Sequence, residues 1–206
     1  NRVYNATTSA TLNTGGATFT GMYGGDVLTV ATATGAFTDK NVGVGKTVNI
    51  TGISLGGHFA PRAVAYEPRF KSGAAWGANH NWHEVQYKRM KREGENPVPH
   101  YWAHVMWAFG ADSMEDFLKR SETMNLNGHM DRIKVPFLVT HGAQDRQISV
   151  SYADDLYDQL VNSPRREKVI FTPREGGVEH VGADNMSYGR DLISDWFAET
   201  LGGATA

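Results

Sequence analysis

Residues 47–70 read TVNITGISLGGHFAPRAVAYEPRF, and the fold turns on how Ser54 is read within them. The residues before the serine have the β-branched content of a strand. The residues after it, LGGHFAPRAVAYEP, read as a helix that ends before Pro68. Gly52-Ile53-Ser54-Leu55-Gly56 fits G-x-S-x-G, in which a nucleophilic serine sits at a sharp strand-to-helix turn. The small residues are needed because bulky neighbours clash at such a turn. The turn lifts the hydroxyl clear of the strand, towards the positive end of the following helix. It also points the backbone N–H of Leu55 to where an oxyanion would form. The plainer alternative is an ordinary serine near the end of a β-strand.

Outward from that turn, the chain has two halves of different composition. Residues 1–52 are rich in Thr, Gly, Ala and Val and nearly free of charge. ATFTGMY, DVLTVATATGAFT and GKTVNITGI read as strands, with NTGG and YGGD as turns between them. From residue 55 the chain turns rich in Arg, Glu, Trp, His and Met. FKSGAAWG reads as a short buried strand. HEVQYKRMKREG, PHYWAHVMWAFG and SMEDFLKRSETMN read as successive amphipathic helices. IKVPFLVTHG is a strand of the buried parallel type, SYADDLYDQLVN a helix and EKVIFTP a strand. NMSYGRDLISDWFAETLG is a terminal helix closed by Gly202-Gly203. This alternation predicts an α/β fold with a mainly parallel sheet and a helical insert over residues 78–130.

A serine nucleophile of this kind needs an acid and then a histidine, in that chain order. VTHGAQDRQI supplies Asp145 just after a buried strand, and PREGGVEHVGADN supplies His180 in a glycine-rich loop. Asp145 would orient His180, and His180 would move the proton of Ser54. As plain readings, Asp145 is a loop or cap residue and His180 a surface-loop histidine. His141 reads as a residue behind the site, and His58 as a neighbour of the nucleophile on its helix. His80 and His83 in NHNWHE do not make an HExxH pattern, and no carboxylate or cysteine set completes them. No metal is expected, and they read as pocket residues. His100 and His104 are one helical turn apart and read as packing or pocket residues. Tyr101, Trp102, Met106, Trp107 and Phe109 form either a helix packed on the core or an apolar roof over an aromatic substrate.

The 206 residues suffice for one domain, or one with a small appendage, and 40% hydrophobic residues allow a real core. A net charge of −2 argues against general nucleic-acid binding. No apolar run approaches a membrane span. The absence of cysteine removes disulfides, thiol catalysis and thiolate metal sites. The first residues, NRVYNATTSA, lack the apolar core of a signal peptide, and export stays open because such a segment is removed by processing.

From about residue 53 onward the chain resembles the α/β-hydrolase superfamily. GISLGGHFAPRAVAYEPRFKSGAAWGANHNW, REGENPVPHYWAHVMWAFG and VTHGAQDRQI…GGVEHVG resemble a narrower branch. That branch contains 2,6-dihydroxypseudooxynicotine hydrolase and the fungal hydrolases that shorten polyketide pigment precursors. The resemblance implies a Ser54, Asp145, His180 triad with Leu55 in the oxyanion hole. It implies cleavage of a carbon–carbon bond next to a ketone, or of an ester, in a small aromatic substrate and without a cofactor. His83, Glu84, Tyr101 and Trp102 are then expected at the pocket mouth, Glu84 being the nearest match to an assisting acid of the branch. Residues 1–57 resemble instead the YDG-type repeat of bacterial surface adhesins, on RVYNATTSATL and GGDVLTVATATGAFTDKNVGVGKTVNITGISLGG. TGISLGG fits both families, so the chain reads as a fusion at this heptad. The alternative function is a β-repeat surface module joined to an inactive hydrolase remnant. The hydrolase part favours the cytoplasm and the repeat part the cell surface. The upstream half lacks the HGGG-like loop that gives this superfamily a second oxyanion donor. Low activity and self-association through an open sheet edge are therefore expected.

Overall fold

The computed structural model describes residues 9–11, 34–36, 48–93 and 99–202, the first two segments by backbone alone. Strands β1 (Ser9–Thr11) and β2 (Thr34–Ala36) pair antiparallel as a small separate sheet. β2 falls within the predicted strand DVLTVATATGAFT, whereas β1 was not among the expected strands. The predicted strand ATFTGMY lies outside the described residues.

The main sheet contains β3 (Val48–Ile53), β4 (Phe70–Trp76), β5 (Phe137–Gly142) and β6 (Arg166–Phe171). They run parallel in the order β3-β4-β5-β6. Helices α1 (Gly56–Tyr66), α5 (Ser151–Gln159) and α6 (Met186–Thr200) flank it. Between β4 and β5 stand α2 (Trp82–Glu93), α3 (Tyr101–Ala108) and α4 (Met114–Ser121). The fold is α/β, as the alternating sequence pattern predicts.

Parallel strands are buried on both faces, so their apolar residues run continuously. Successive side chains still alternate between faces. Ala75, Phe137 and Val139 join a core with Val64 of α1 and Ala153 and Leu156 of α5. Their neighbours Ala74, Trp76 and Leu138 join Ile193 and Trp196 of α6 on the other face. Trp196 also donates its indole N–H to Ser72 Oγ at 3.0 Å, which pins α6 to β4. β5 begins later than its apolar run suggests. Pro136 cannot donate to a ladder, and Ile133 is buried in the core from the loop before it.

The inserted helices have their own small core of Trp82, Val105 and Phe117. Trp82 stacks on Phe109 at 5.5 Å, which ties α2 to the end of α3. Ser113 caps α4 by accepting from the Asp116 N–H at 3.1 Å. Among the described residues no helix is long and apolar enough to cross a membrane.

The turn from β3 into α1 is the tightest place in the sheet. A Cβ on Gly52 would lie 1.8 Å from the Gly56 carbonyl oxygen, and one on Gly57 2.3 Å from the Gly77 carbonyl oxygen. Gly56 differs from the clash expected of the motif, since a Cβ there meets nothing within 4 Å among the described residues. The steric demand falls on Gly52 and Gly57. We expect Gly57→Ala to cost about 2–3 kcal/mol, and Gly56→Ala well under half of that, in urea unfolding. Equal costs for the two would remove this account of the turn.

His58, the next residue of α1, is fully buried and donates from Nδ1 to the Asn79 carbonyl oxygen at 3.1 Å. Its Nε2 has no partner among the described residues. Burial disfavours the imidazolium and pushes its pKa down to about 4, with Arg62, His80 and His129 acting in the same direction. The unfolded chain therefore binds a proton at His58 more readily than the folded one. Stability is intact above the ordinary histidine pKa of about 6.5 and falls as pH drops towards about 4. Between pH 7.5 and 4.5 this group should remove about 2 kcal/mol, and His58→Gln should shrink the acid loss by that amount. An unchanged loss in the variant would show that other groups carry the acid sensitivity.

Candidate active site

Ser54 ends β3 and turns the chain into α1. Its N–H bonds the Trp76 carbonyl at 2.9 Å, so the β3–β4 ladder continues to the serine itself. Its φ is +57°, in the left-handed region that side chains other than glycine rarely adopt. The Ser54 carbonyl then accepts from Gly57 N–H at 2.8 Å, closing the turn.

Asp145 stands in the loop after β5, with its side chain fully buried. Its Oδ1 accepts from the N–H groups of Gln147 at 2.8 Å and Ile148 at 2.9 Å. Its Oδ2 lies 2.7 Å from His180 Nδ1 and 3.4 Å from His141 Nε2. Burial alone would raise the pKa of this carboxyl. Hydrogen bonds from His141, His180 and the two backbone N–H groups outweigh burial and hold it well below the usual carboxylate range.

His180 opens a single 3₁₀ turn, His180–Gly182, in the loop after β6. Its Nε2 lies 2.7 Å from Ser54 Oγ. Hydroxyl, imidazole and carboxylate thus stand in series. An ionised Asp145 only accepts, so Nδ1 of His180 carries the proton and Nε2 is left to accept from the serine hydroxyl.

The loops that hold these groups are bonded to one another. Gln144 N–H reaches the Val178 carbonyl at 2.9 Å, joining the Asp145 loop to the His180 loop. Asp184 accepts from the N–H groups of Gly177, Val178 and Glu179 at 2.9, 3.2 and 2.9 Å. These bonds fix the segment that leads into His180 and hold the Asp184 pKa down. Val181 sits at φ +48°, and its side chain packs close above Gly77. Asp184 was not singled out from the sequence. Its signal is the acidic residue closing the glycine-rich GGVEHVGAD, which reads as a loop anchor only once the loop is known to fold back.

A cavity of about 350 Å3 opens beside Ser54 and His180. Leu55 and Asn79 line it, with Trp82, Val85, Gln86, Arg89 and Arg92 of α2 and Gln147 and Ile148 of the Asp145 loop. The structure brings Ser54, Leu55, Asp145 and His180 together. His83, Glu84, Tyr101 and Trp102 are not among the lining residues. α2 turns its Trp82, Val85, Gln86, Arg89 face to the cavity, at helical spacing, and this leaves His83 and Glu84 on other faces. His83 pairs with Ser121 Oγ at 2.8 Å, and Glu84 accepts from Tyr152 at 2.9 Å and Lys88 at 2.8 Å. Tyr101 donates to Gln86 Oε1, and Trp102 donates to Glu93 at 3.1 Å, so both brace α2 from behind. His80 bonds Asn127 at 2.9 Å, away from His83.

The model of the YDG domain family matches residues 1–61. An uncharacterised peptidase of Bacillus subtilis, YuxL, is 23% identical over 158 residues, which is 76% of this chain and 22% of that protein. Among solved structures, an esterase of Pyrococcus furiosus matches at TM-score 0.54 and 15% identity, over 78% of this chain and 55% of its own. The 2,6-dihydroxy-pseudo-oxynicotine hydrolase matches at TM-score 0.57 and 18% identity, over 77% of this chain and 41% of its own. The chain thus spans between a fifth and about half of the length of these relatives. The described parallel sheet and its helices have the α/β-hydrolase fold.

Proposed function

We propose that the chain is a serine hydrolase with Ser54 as nucleophile, His180 as general base and then acid, and Asp145 as the group that orients His180. One observation carries this reading. Ser54 Oγ, held at a left-handed turn, is 2.7 Å from His180 Nε2, whose other nitrogen is 2.7 Å from a buried carboxylate. In this scheme Ser54 Oγ attacks a carbonyl carbon while its proton passes to Nε2. The proton then goes to the leaving group, an alcohol or a carbanion stabilised by a neighbouring ketone, and water regenerates the serine. Leu55 N–H supports the oxyanion. Residues 78–130 act as a lid over this site, within a hydrolase unit of residues 53–206 that follows a repeat-like unit of residues 1–52. The substrate is a small molecule, a ketone cleaved at the adjacent carbon–carbon bond or an ester. Esterase and hydrolase relatives of the same fold support this class.

A second reading is favoured by the match of the YDG family over residues 1–61, which runs through β3 into α1. It makes the chain a surface-type repeat module carrying an inactive hydrolase remnant. Such a module belongs at the cell surface, whereas the hydrolase reading suits the cytoplasm.

A fluorophosphonate probe separates the two. Labelling that disappears in Ser54→Ala supports the hydrolase, and a wild-type protein that stays unlabelled removes it. With one backbone donor assigned to the oxyanion, turnover of an activated aryl ester should lie about 10²–10³ below that of a full-length relative. It should vanish in Ser54→Ala. We also propose that copies associate through β3, which has a strand partner on one side only among the described residues. Light scattering should show a dimer or larger, and replacing Thr51 by Pro should shift it to monomer. A monodisperse wild-type monomer would exclude this pairing.

A further inference from the structure

A second cavity, of about 280 Å3, adjoins the one at Ser54. The two share Val85, Arg92 and Gln147 in their walls. Val85, Lys88, Arg89 and Arg92 lie at helical spacing on α2, so one face of this helix runs along both cavities. Arg146, from the loop after β5, adds a further cation to the second cavity.

Most of these cations are already neutralised. Arg89 pairs with Glu93 at 2.6 Å and lies 3.5 Å over the Tyr101 ring. Lys88 pairs with Glu84 at 2.8 Å, and Arg146 with Glu179 at 3.2 Å. Arg92 has no carboxylate partner among the described residues. Its one hydrogen bond there is a long one, from Nη1 to the Arg146 carbonyl at 3.5 Å. It stands where the two cavities meet, with most of its planar set of donors unused among the described residues. The other polar walls also offer donors. Gln86 spends its carbonyl oxygen on Tyr101, which leaves its NH2 group. Asn79 can donate from its amide nitrogen, which has no partner among the described residues, while its buried Oδ1 is an acceptor likewise unpaired there. Trp82, Val85 and Ile148 supply apolar walls between them. A neutral, apolar substrate would leave these donors unpaired, at a cost in affinity.

We propose that the site takes acyl substrates that carry a carboxylate, and that Arg92 binds this carboxylate while the scissile carbonyl lies at Ser54. This rests on the serine-hydrolase reading for its chemistry but not for its binding step. Arg92 is thus a specificity-determining residue. Its planar fork suits a carboxylate in two-point contact, and Gln86 and Gln147 flank the chain that joins the two groups.

Two measurements on the full chain test this. The first is the ratio of kcat/KM for mono-4-nitrophenyl glutarate to that for 4-nitrophenyl butyrate. Wild type should favour the anionic ester. Arg92→Gln should lower the ratio about tenfold or more, chiefly through KM, and Arg92→Lys should recover part of it. A ratio near one in wild type, or a ratio unmoved by Arg92→Gln, overturns the proposal while leaving the hydrolase reading intact. The second is calorimetric titration of the Ser54→Ala protein with glutarate and with glutaramide. Glutarate should bind more tightly, and adding Arg92→Gln should abolish the difference. If no ester is turned over and no fluorophosphonate label forms, yet glutarate binding depends on Arg92, the hydrolase reading fails and the carboxylate site stands. Equal binding of diacid and diamide overturns the site.

Discussion

The close passage of α1 over the ends of β3 and β4 sets every other feature of the site. Gly52 and Gly57 let backbone meet backbone where any side chain would collide. Because α1 starts so near the sheet, the residue between strand and helix must reverse direction within one position. That residue is Ser54, and its left-handed φ of +57° is the result. Such a conformation costs of order 1–3 kcal/mol at a non-glycine residue, and packed surroundings hold it in place. Here the surroundings are the ladder bond to Trp76 and the turn bond from Gly57. The strain lifts the hydroxyl off the sheet and towards the loops that follow β5 and β6.

Those loops meet the hydroxyl because they are tied to each other before they are tied to it. The bond from Gln144 to Val178 and the three N–H groups gathered by Asp184 place His180 against Asp145. Val181 above Gly77 and Gly182 against Trp76 then press the His180 loop onto the end of β4. A buried carboxylate with four donors around it stays charged, so it holds the imidazole by one nitrogen only. The geometry is therefore set by the fold itself, as the proposed catalysis would require.

Much of this was legible in the sequence, for physical reasons. Residue order and loop position led to Ser54, Asp145 and His180, because a nucleophile, its base and its orienting acid must all sit at the same ends of parallel strands. Strand and helix assignments from β4 onward followed from apolar period. The pocket wall was harder. His83, Glu84, Tyr101 and Trp102 drew attention by chemical type, but a helix shows a cavity only one face. The rotation of α2 is set by Trp82 stacking on Phe109 and by Tyr101 and Trp102 bracing it from behind. Those are tertiary contacts that local sequence does not encode. The same rotation brings Gln86, Arg89 and Arg92 to the cavity, residues that the sequence did not single out within its amphipathic helix.

The shared heptad TGISLGG has a physical explanation in how little β3 is asked to contribute. Of its six residues only Gly52 is fully buried, and Val48, Thr51 and Ile53 are exposed. Its work is done by backbone, through the ladder to β4 and the steric gap at Gly52. β4 and β5 are different, since Ala74, Ala75, Leu138 and Val139 must fill both faces of the sheet without excess volume. A strand whose side chains are mostly exposed can be drawn from an unrelated β-repeat, provided that it carries β-branched residues and ends in the right glycine. TVNITGI meets those terms and FKSGAAW would not, so a junction of the kind that the sequence suggests is sterically easier at the β3–α1 turn than one strand later.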